Sequence, residues 1–357
     1  MRLHPRSASP NIALMLSLLS PAFGRPPRLA DLRRSPHFDG EKFQNPVPTH
    51  SLHREQLPDV LRRSFNRQEP RRPGDGYRFG ETHREELQRH DEIQVNWLGH
   101  AALLLHKAGR YFLLDPVLSE RVSPFPFMGP QRFFPSPIAV EDLPPLEAIL
   151  LSHDHYDHCD SEVLPHLAAQ TQHYVAPLGL RASLEYWGIP AEKITELDWG
   201  EGFERDGYHF IATPARHFSG RGLKRDHTLW CSYVMQIGEH RLFWAGDTGV
   251  FMGLADIGEQ YGPFELALMP IGAYDEAWHD IHLNPEEAWE AFEWLEGGRF
   301  FPTHWGTLDL SLHTWPDPMQ RLLAAAGDKP LLAPEPGRWV SHRSSEVDPR
   351  WWERFVR

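Results

Sequence analysis

Residues 149–158 read ILLSHDHYDH. An apolar run short enough for a buried strand ends directly in three histidines and two aspartates. Five such side chains next to a packed core must be paired or bound to metal. Extended chain sends residues two apart to the same side, so His153 and His155 converge on one ion, and the turn that follows swings Asp157 and His158 towards a second. Imidazole and carboxylate donors suit zinc, and the lone neighbouring thiol, Cys159, speaks against a cysteine-built structural site. Four ligands cannot complete two coordination shells, so more donors must come from later in the chain. His217, Asp247 and His304 each follow an apolar run, FIATPA, LFWAG and RFFPT, at strand ends where ligands collect in layered α/β folds. One histidine after a strand would mean little among 22; the ordered set is what points to metal.

The surrounding pattern is α/β. Short β-rich runs fall at 93–99, 101–108, 110–116 and 146–153, and again at 209–215, 229–237, 240–247, 266–272 and 299–306. Helices are expected at 160–170, 180–188 and 284–298, the last with Asn284 as N-cap, Pro285 at the first helical position and Gly297 as terminator. Two β-rich halves, each with helices, suggest two sheets packed face to face between helical layers. Residues 1–90 read as an arm, in part extended, with a short helix near 53–66; residues 91–345 form the catalytic domain and residues 346–357 a C-terminal tail.

Charge narrows the partners. The net charge of −13 divides into +7 over residues 1–80 (14 Lys/Arg, 7 Asp/Glu) and −20 over residues 81–357 (22 against 42). An acidic body without a Lys/Arg track excludes nucleic acid, while a basic leader suits anionic headgroups or solvent. Two cysteines give no disulfide framework. Arg2 and Arg6, the apolar run 12–19 and a small-residue site ending at Gly24 resemble a weak secretory signal. The expectation is a cytoplasmic protein peripheral to a membrane, with periplasmic export as the alternative. A stretch with four phenylalanines, SPFPFMGPQRFFPSP (123–137), offers either an apolar rim for acyl chains or packing under a loop. Arg132 within it could meet a phosphate.

Together with WLGHAALLLH, MGPQRF, FWAGDTG, PIGAYDEAWH and HWGTLDL, the metal motif resembles the metallo-β-lactamase-fold hydrolase superfamily and, within it, the N-acylphosphatidylethanolamine-hydrolysing phospholipase D group, over roughly residues 93–330. The resemblance implies a four-layer αββα sandwich holding two Zn2+ ions, for which other divalent metals could stand. It places His153, His155 and His217 on the first ion and Asp157, His158 and His304 on the second, with Asp247 bridging and a hydroxide between the metals attacking phosphorus. Asp115 and His100 would orient the ligands from behind. Asp157, Asp247 and His282 would be catalytic, and His282, Tyr156 and Tyr274 would touch the substrate. Two positions depart from the group's pattern: Ile281 stands where a polar residue is expected, and Asp154 replaces an amide inside the motif. The implied partner is an amphiphilic phosphodiester such as a phospholipid, and a homodimer is compatible with the sequence. A lactonase or other carbonyl-directed hydrolase of the same fold is the alternative, and a metal-dependent binding protein the non-catalytic one.

Overall fold

The computed structural model describes residues 20–65, 70–80, 82, 91–222, 224–329 and 331–356. The run 12–19 of the signal-like stretch lies outside the described residues. Where it is described, the arm is not a detached leader. Leu32, at the end of the short helix α1 (Leu29–Leu32), and Phe43 are buried against Leu178, Leu229 and Trp230. The Phe43 amide donates to the Asp226 carbonyl at 2.7 Å. The helix expected near residue 60 is α2 (Leu57–Phe65), entered through a 3-10 turn at Arg54–Gln56.

Strands β1 (Gln94–Gly99), β2 (Ala102–Lys107), β3 (Arg110–Leu114), β4 (Leu146–Leu150), β5 (Thr171–Pro177) and β6 (Ile194–Leu197) lie side by side in that order. They run antiparallel from β1 to β3 and parallel from β3 to β6. The second sheet holds β7 (Gly202–Arg205), β8 (Tyr208–Thr213), β9 (Ser232–Ile237), β10 (His240–Trp244), β11 (Leu266–Pro270) and β12 (Phe300–Thr303). A late strand, β13 (Trp339–Ser341), returns to pair with β1.

The pleat divides the core. Along β2, Leu103 and Leu105 enter the layer between the sheets, whereas Ala102 and Leu104 pack beneath α3 (Val163–His166) and α4 (Arg181–Tyr186). Phe112 of the first sheet meets Tyr208 and Phe210 of the second, ring centroids 5.1 and 5.7 Å apart. On the far side lie α5 (Gly253–Tyr261), α6 (Pro285–Trp294) and α7 (Asp317–Ala326), with the Trp289 ring 5.5 Å from Phe300 of β12. This is the expected αββα sandwich.

Two local expectations change. Helix α6 begins as anticipated, with the Asn284 side chain accepting from the Glu287 amide and Glu287 returning to the Asn284 amide. Its stop is Glu296 rather than Gly297, since Glu296 takes the left-handed conformation at φ 51°. The C-terminal residues are not a tail. Trp351 and Trp352 are buried in the main core, and Trp351 Nε1 donates to the Ala333 carbonyl at 3.0 Å.

Candidate metal centre

The chemistry collects at one end of both sheets. His100 follows β1, Asp115 follows β3, His153 follows β4, Asp247 follows β10 and His304 follows β12. The backbone there is strained. Of the eight non-glycine residues with positive φ among those described, His100, Asp115, Ala273 and His304 stand in or beside this region. Such conformations cost of order 1–3 kcal/mol each and persist where the surroundings fix them. Gly246 turns β10 into Asp247 at φ 59°. At Gly272 a side chain is excluded, because a Cβ would lie 2.1 Å from the His304 carbonyl oxygen.

Two groups of donors face each other across Asp247. In the first, His153 Nε2 lies 2.8 Å and His217 Nε2 3.3 Å from His155 Nδ1. In the second, His158 Nε2 lies 3.0 Å from His304 Nε2, and Asp157 Oδ2 is 3.7 and 3.5 Å from those two nitrogens. Asp247 reaches both groups. Its Oδ2 lies 3.7 Å from His217 Nε2 and 3.2 Å from His158 Nε2, and its Oδ1 lies 3.2 Å from His304 Nε2. All seven residues expected as metal ligands are therefore brought together.

Groups behind the ligands fix their orientation. The buried Asp115 carboxylate accepts from the Ser152 amide and hydroxyl and meets His158 Nδ1 at 2.6 Å. Ser152 Oγ contacts His153 Nδ1 at 2.9 Å, and His217 Nδ1 is 2.9 Å from the Ile281 carbonyl. Their second nitrogens are thereby left to point inward. His100 Nε2 holds Asp157 Oδ2 at 3.0 Å. The sequence reading missed Ser152 and Asn45. The Asn45 amide clasps the His217 backbone in both directions, at 2.6 and 3.0 Å; an asparagine in the FQNP turn gives no spacing signal for this contact.

A pair of divalent cations fits this donor set. With the outer nitrogens of His153, His158 and His217 engaged, their inward nitrogens would turn lone pairs towards the other donors, an arrangement that a cation between them relieves. Among the described residues, Asp247 Oδ1 and His304 Nδ1 are buried without a hydrogen-bond partner. Electrostatics agree. Burial, reinforced by His158, pushes His153 well below the ordinary histidine range, and burial lowers His155 to about 3, so both keep a lone pair for metal. Burial would also lower His304, but Asp247 overrides it and raises this group to about 9. A place that draws a proton onto imidazole so strongly attracts a metal cation for the same reason.

Beside the donors lies a cavity of about 280 Å³, lined by His155, Asp157, Asp247, His282 and His304 together with Ser51, Trp278 and Leu310. His282 faces it with Nδ1 3.8 Å from Asp247 Oδ2, and burial lowers its pKa to about 4. Three expectations fail here. The Tyr156 hydroxyl donates to the Arg221 carbonyl and its ring lies under the Arg221 guanidinium, away from the cavity. The Tyr274 hydroxyl donates to Asp317 and its ring stacks on His313. Neither tyrosine is placed to touch a substrate, since a side chain's direction is set by tertiary packing. Arg132 is buried with its guanidinium on the carbonyls of Leu98, Val117 and Phe134, and it does not line the cavity. Asp154, which departs from the group's pattern, is buried and accepts from the Gly220 amide at 2.7 Å.

Comparison with known proteins agrees with the geometry. Residues 110–305 match the model of the β-lactamase superfamily domain. An uncharacterized protein of Mycobacterium tuberculosis is 39% identical over 329 residues, covering 89% of this chain and 88% of that one. An N-acyl-phosphatidylethanolamine-hydrolyzing phospholipase D of Caenorhabditis elegans is 41% identical over 228 residues, 60% of this chain and 64% of the worm protein. The isothiocyanate hydrolase from Delia radicum gut bacteria shares the fold at a TM-score of 0.57 and 20% identity, covering 70% of this chain and 98% of that one. With this fold, this relatedness and its His/Asp clusters, the chain belongs to the metallo-β-lactamase superfamily of metal-dependent hydrolases.

Proposed function

We propose that this protein is a zinc-dependent phosphodiesterase of phospholipase D type, cleaving N-acylphosphatidylethanolamine-like phospholipids. The observation that carries the reading is the 41% identity to the worm phospholipase D in a chain whose seven donors converge beside an open cavity. His153, His155 and His217 would hold one cation, Asp157, His158 and His304 the other, with Asp247 between them. Two such cations, when bound, supply Lewis-acid charge for phosphoryl oxygens and make water nucleophilic at neutral pH. Water adds to phosphorus and the phosphorus–oxygen bond to the N-acylethanolamine breaks, leaving a phosphatidic acid. His282, kept neutral by burial, offers an N–H to a phosphoryl oxygen, a contact its position favours over service as a cationic acid.

The cavity mouth suits a substrate drawn from a lipid surface. Leu57, Leu61 and Phe65 are 42%, 50% and 87% exposed and recur every four residues along α2, so one face of that helix presents an apolar stripe to solvent. Helix α2 is tied to the rim by Arg63, whose guanidinium pairs with Asp275 at 2.7 Å, three residues before the cavity-lining Trp278. In the phenylalanine stretch the roles divide. Phe127 and Met128 are 77% and 50% exposed, whereas Phe134 is core. Among the described residues no helix is long and apolar enough to cross a membrane, so contact would be peripheral.

The test is a substrate panel on the zinc-loaded protein: N-acylphosphatidylethanolamine, phosphatidylethanolamine and phosphatidylcholine vesicles beside a set of lactones, with products read by mass spectrometry. Release of phosphatidic acid and N-acylethanolamine is expected. Turnover of lactones alone would replace this reading with a carbonyl-directed hydrolase, and metal binding without any turnover would favour a binding protein.

A further inference from the structure

A second cluster of donors stands outside the catalytic set, where the arm meets the loop that carries His282. His50 Nδ1 and His53 Nε2 lie 3.4 and 3.6 Å from Asp280 Oδ2, and the three donor atoms fall within 4.8 Å of one another. We propose that His50, His53 and Asp280 form a third divalent-metal site at the rim of the catalytic cavity, taking a late first-row transition cation such as Zn2+, Co2+ or Cu2+.

Four observations carry this assignment. His53 Nε2 is buried and, among the described residues, has no hydrogen-bond partner, so an inward-facing nitrogen is left over that ordinary packing does not explain. The His53 ring is held in place by stacking on His279, centroids 4.4 Å apart and planes 10° apart. The buried Asp280 carboxylate has its oxygens divided. Arg216 and His279 Nε2 take Oδ1 at 2.8 and 3.1 Å, while Oδ2 accepts from the His50 amide at 2.8 Å and has a lone pair left on the side of the His50 and His53 imidazoles. Finally, the His50 side chain is 68% exposed, which opens a path from solvent and leaves space for water to complete a tetrahedral shell. Two imidazoles and one carboxylate are donors that such cations prefer over Mg2+ or Ca2+.

The site would couple two pieces of the rim. His50 and His53 flank the cavity-lining Ser51, and Asp280 lies two residues before His282. A cation bridging them pins the arm to the loop that presents His282, without contributing a ligand to the catalytic pair.

Equilibrium dialysis of the protein already loaded with its two tightly held zinc ions, against added Zn2+, reads the third site as a further equivalent by elemental analysis. The wild type is expected to take up one more equivalent. In His50→Ala and in His53→Ala its affinity should fall tenfold or more while both tight equivalents stay. Co2+ added to the zinc-loaded protein should give a visible ligand-field band that His50→Ala abolishes. The exposed His166, outside the cluster, serves as control, and His166→Ala should leave the third equivalent and the band intact. Saturation at two equivalents, undiminished uptake in both cluster variants, or equal loss in His166→Ala would each overturn the proposal.

Discussion

The metal centre and the arm that borders it are built on opposite terms. In the centre five of the seven donors are buried and four are held from behind: Asp115 holds His158, Ser152 holds His153, a backbone carbonyl holds His217, and His100 holds Asp157. In α2 the apolar side chains stand in solvent and only the polar face is tied down, through Arg63 to Asp59 and Asp275. The contrast separates two tasks. On the proposed function, the body of the sandwich would fix what reaction is possible, and the arm would shape how a substrate approaches. The two are joined at Asn45, which clasps the backbone of His217 from the arm.

If that separation is right, changes at the centre should strike chemistry and changes on α2 should strike access. Asp247→Ala should have the largest effect. Loss of the carboxylate shared by both donor groups should lower kcat on the order of 10³-fold or more, since the cations supply several kcal/mol of charge stabilisation. Circular dichroism should still report the native fold; near-wild-type turnover would remove Asp247 from the bridging role. A smaller effect is expected from Asp115→Asn, which keeps the shape but alters the partner of His158 Nδ1. Metal affinity should drop roughly 10–100-fold, measured by competition with a chromophoric chelator, while turnover at saturating zinc recovers in large part. Unchanged affinity would show that Asp115 only packs.

The smallest effect should come from the arm. Phe65→Asp should weaken partitioning to vesicles about tenfold, the scale of withdrawing one large apolar side chain from a lipid surface. Turnover of a short-chain soluble analogue and thermal stability should hardly move, because exposed substitutions shift stability within about 0.5 kcal/mol. Equal losses on soluble and vesicle substrates would break the division between chemistry and access.

The clustering of the seven donors was largely legible because its signals are local. A strand that runs into His-x-His-x-Asp-His declares its purpose, and Asp247 and His304 each close an apolar run. The sheets were legible for the same reason wherever strands were apolar on both faces. Four strands were not: β5 and β6, whose runs mix polar with apolar residues, β7, mostly exposed, and β13, three residues long, carry too little pattern to stand out. Helices α5 and α7 escaped for want of strong start signals, neither having a side-chain N-cap. Substrate-facing residues were the least legible. Tyr156 and Tyr274 sit in the right segments but turn to Arg221 and Asp317, and the cavity wall is instead built by Trp278, Ser51 and Leu310, which share no spacing. The paired Trp351–Trp352 was a readable clue, since two adjacent tryptophans are costly to leave in water.

The central claim is that seven side chains hold two divalent cations on which hydrolysis depends. Elemental analysis of the purified protein, coupled to an activity assay before chelation, after it and after zinc is restored, tests this most directly. Two tightly held equivalents per chain, loss of hydrolysis on chelation and its return with zinc are the expected result; full hydrolysis by protein stripped of metal would contradict it.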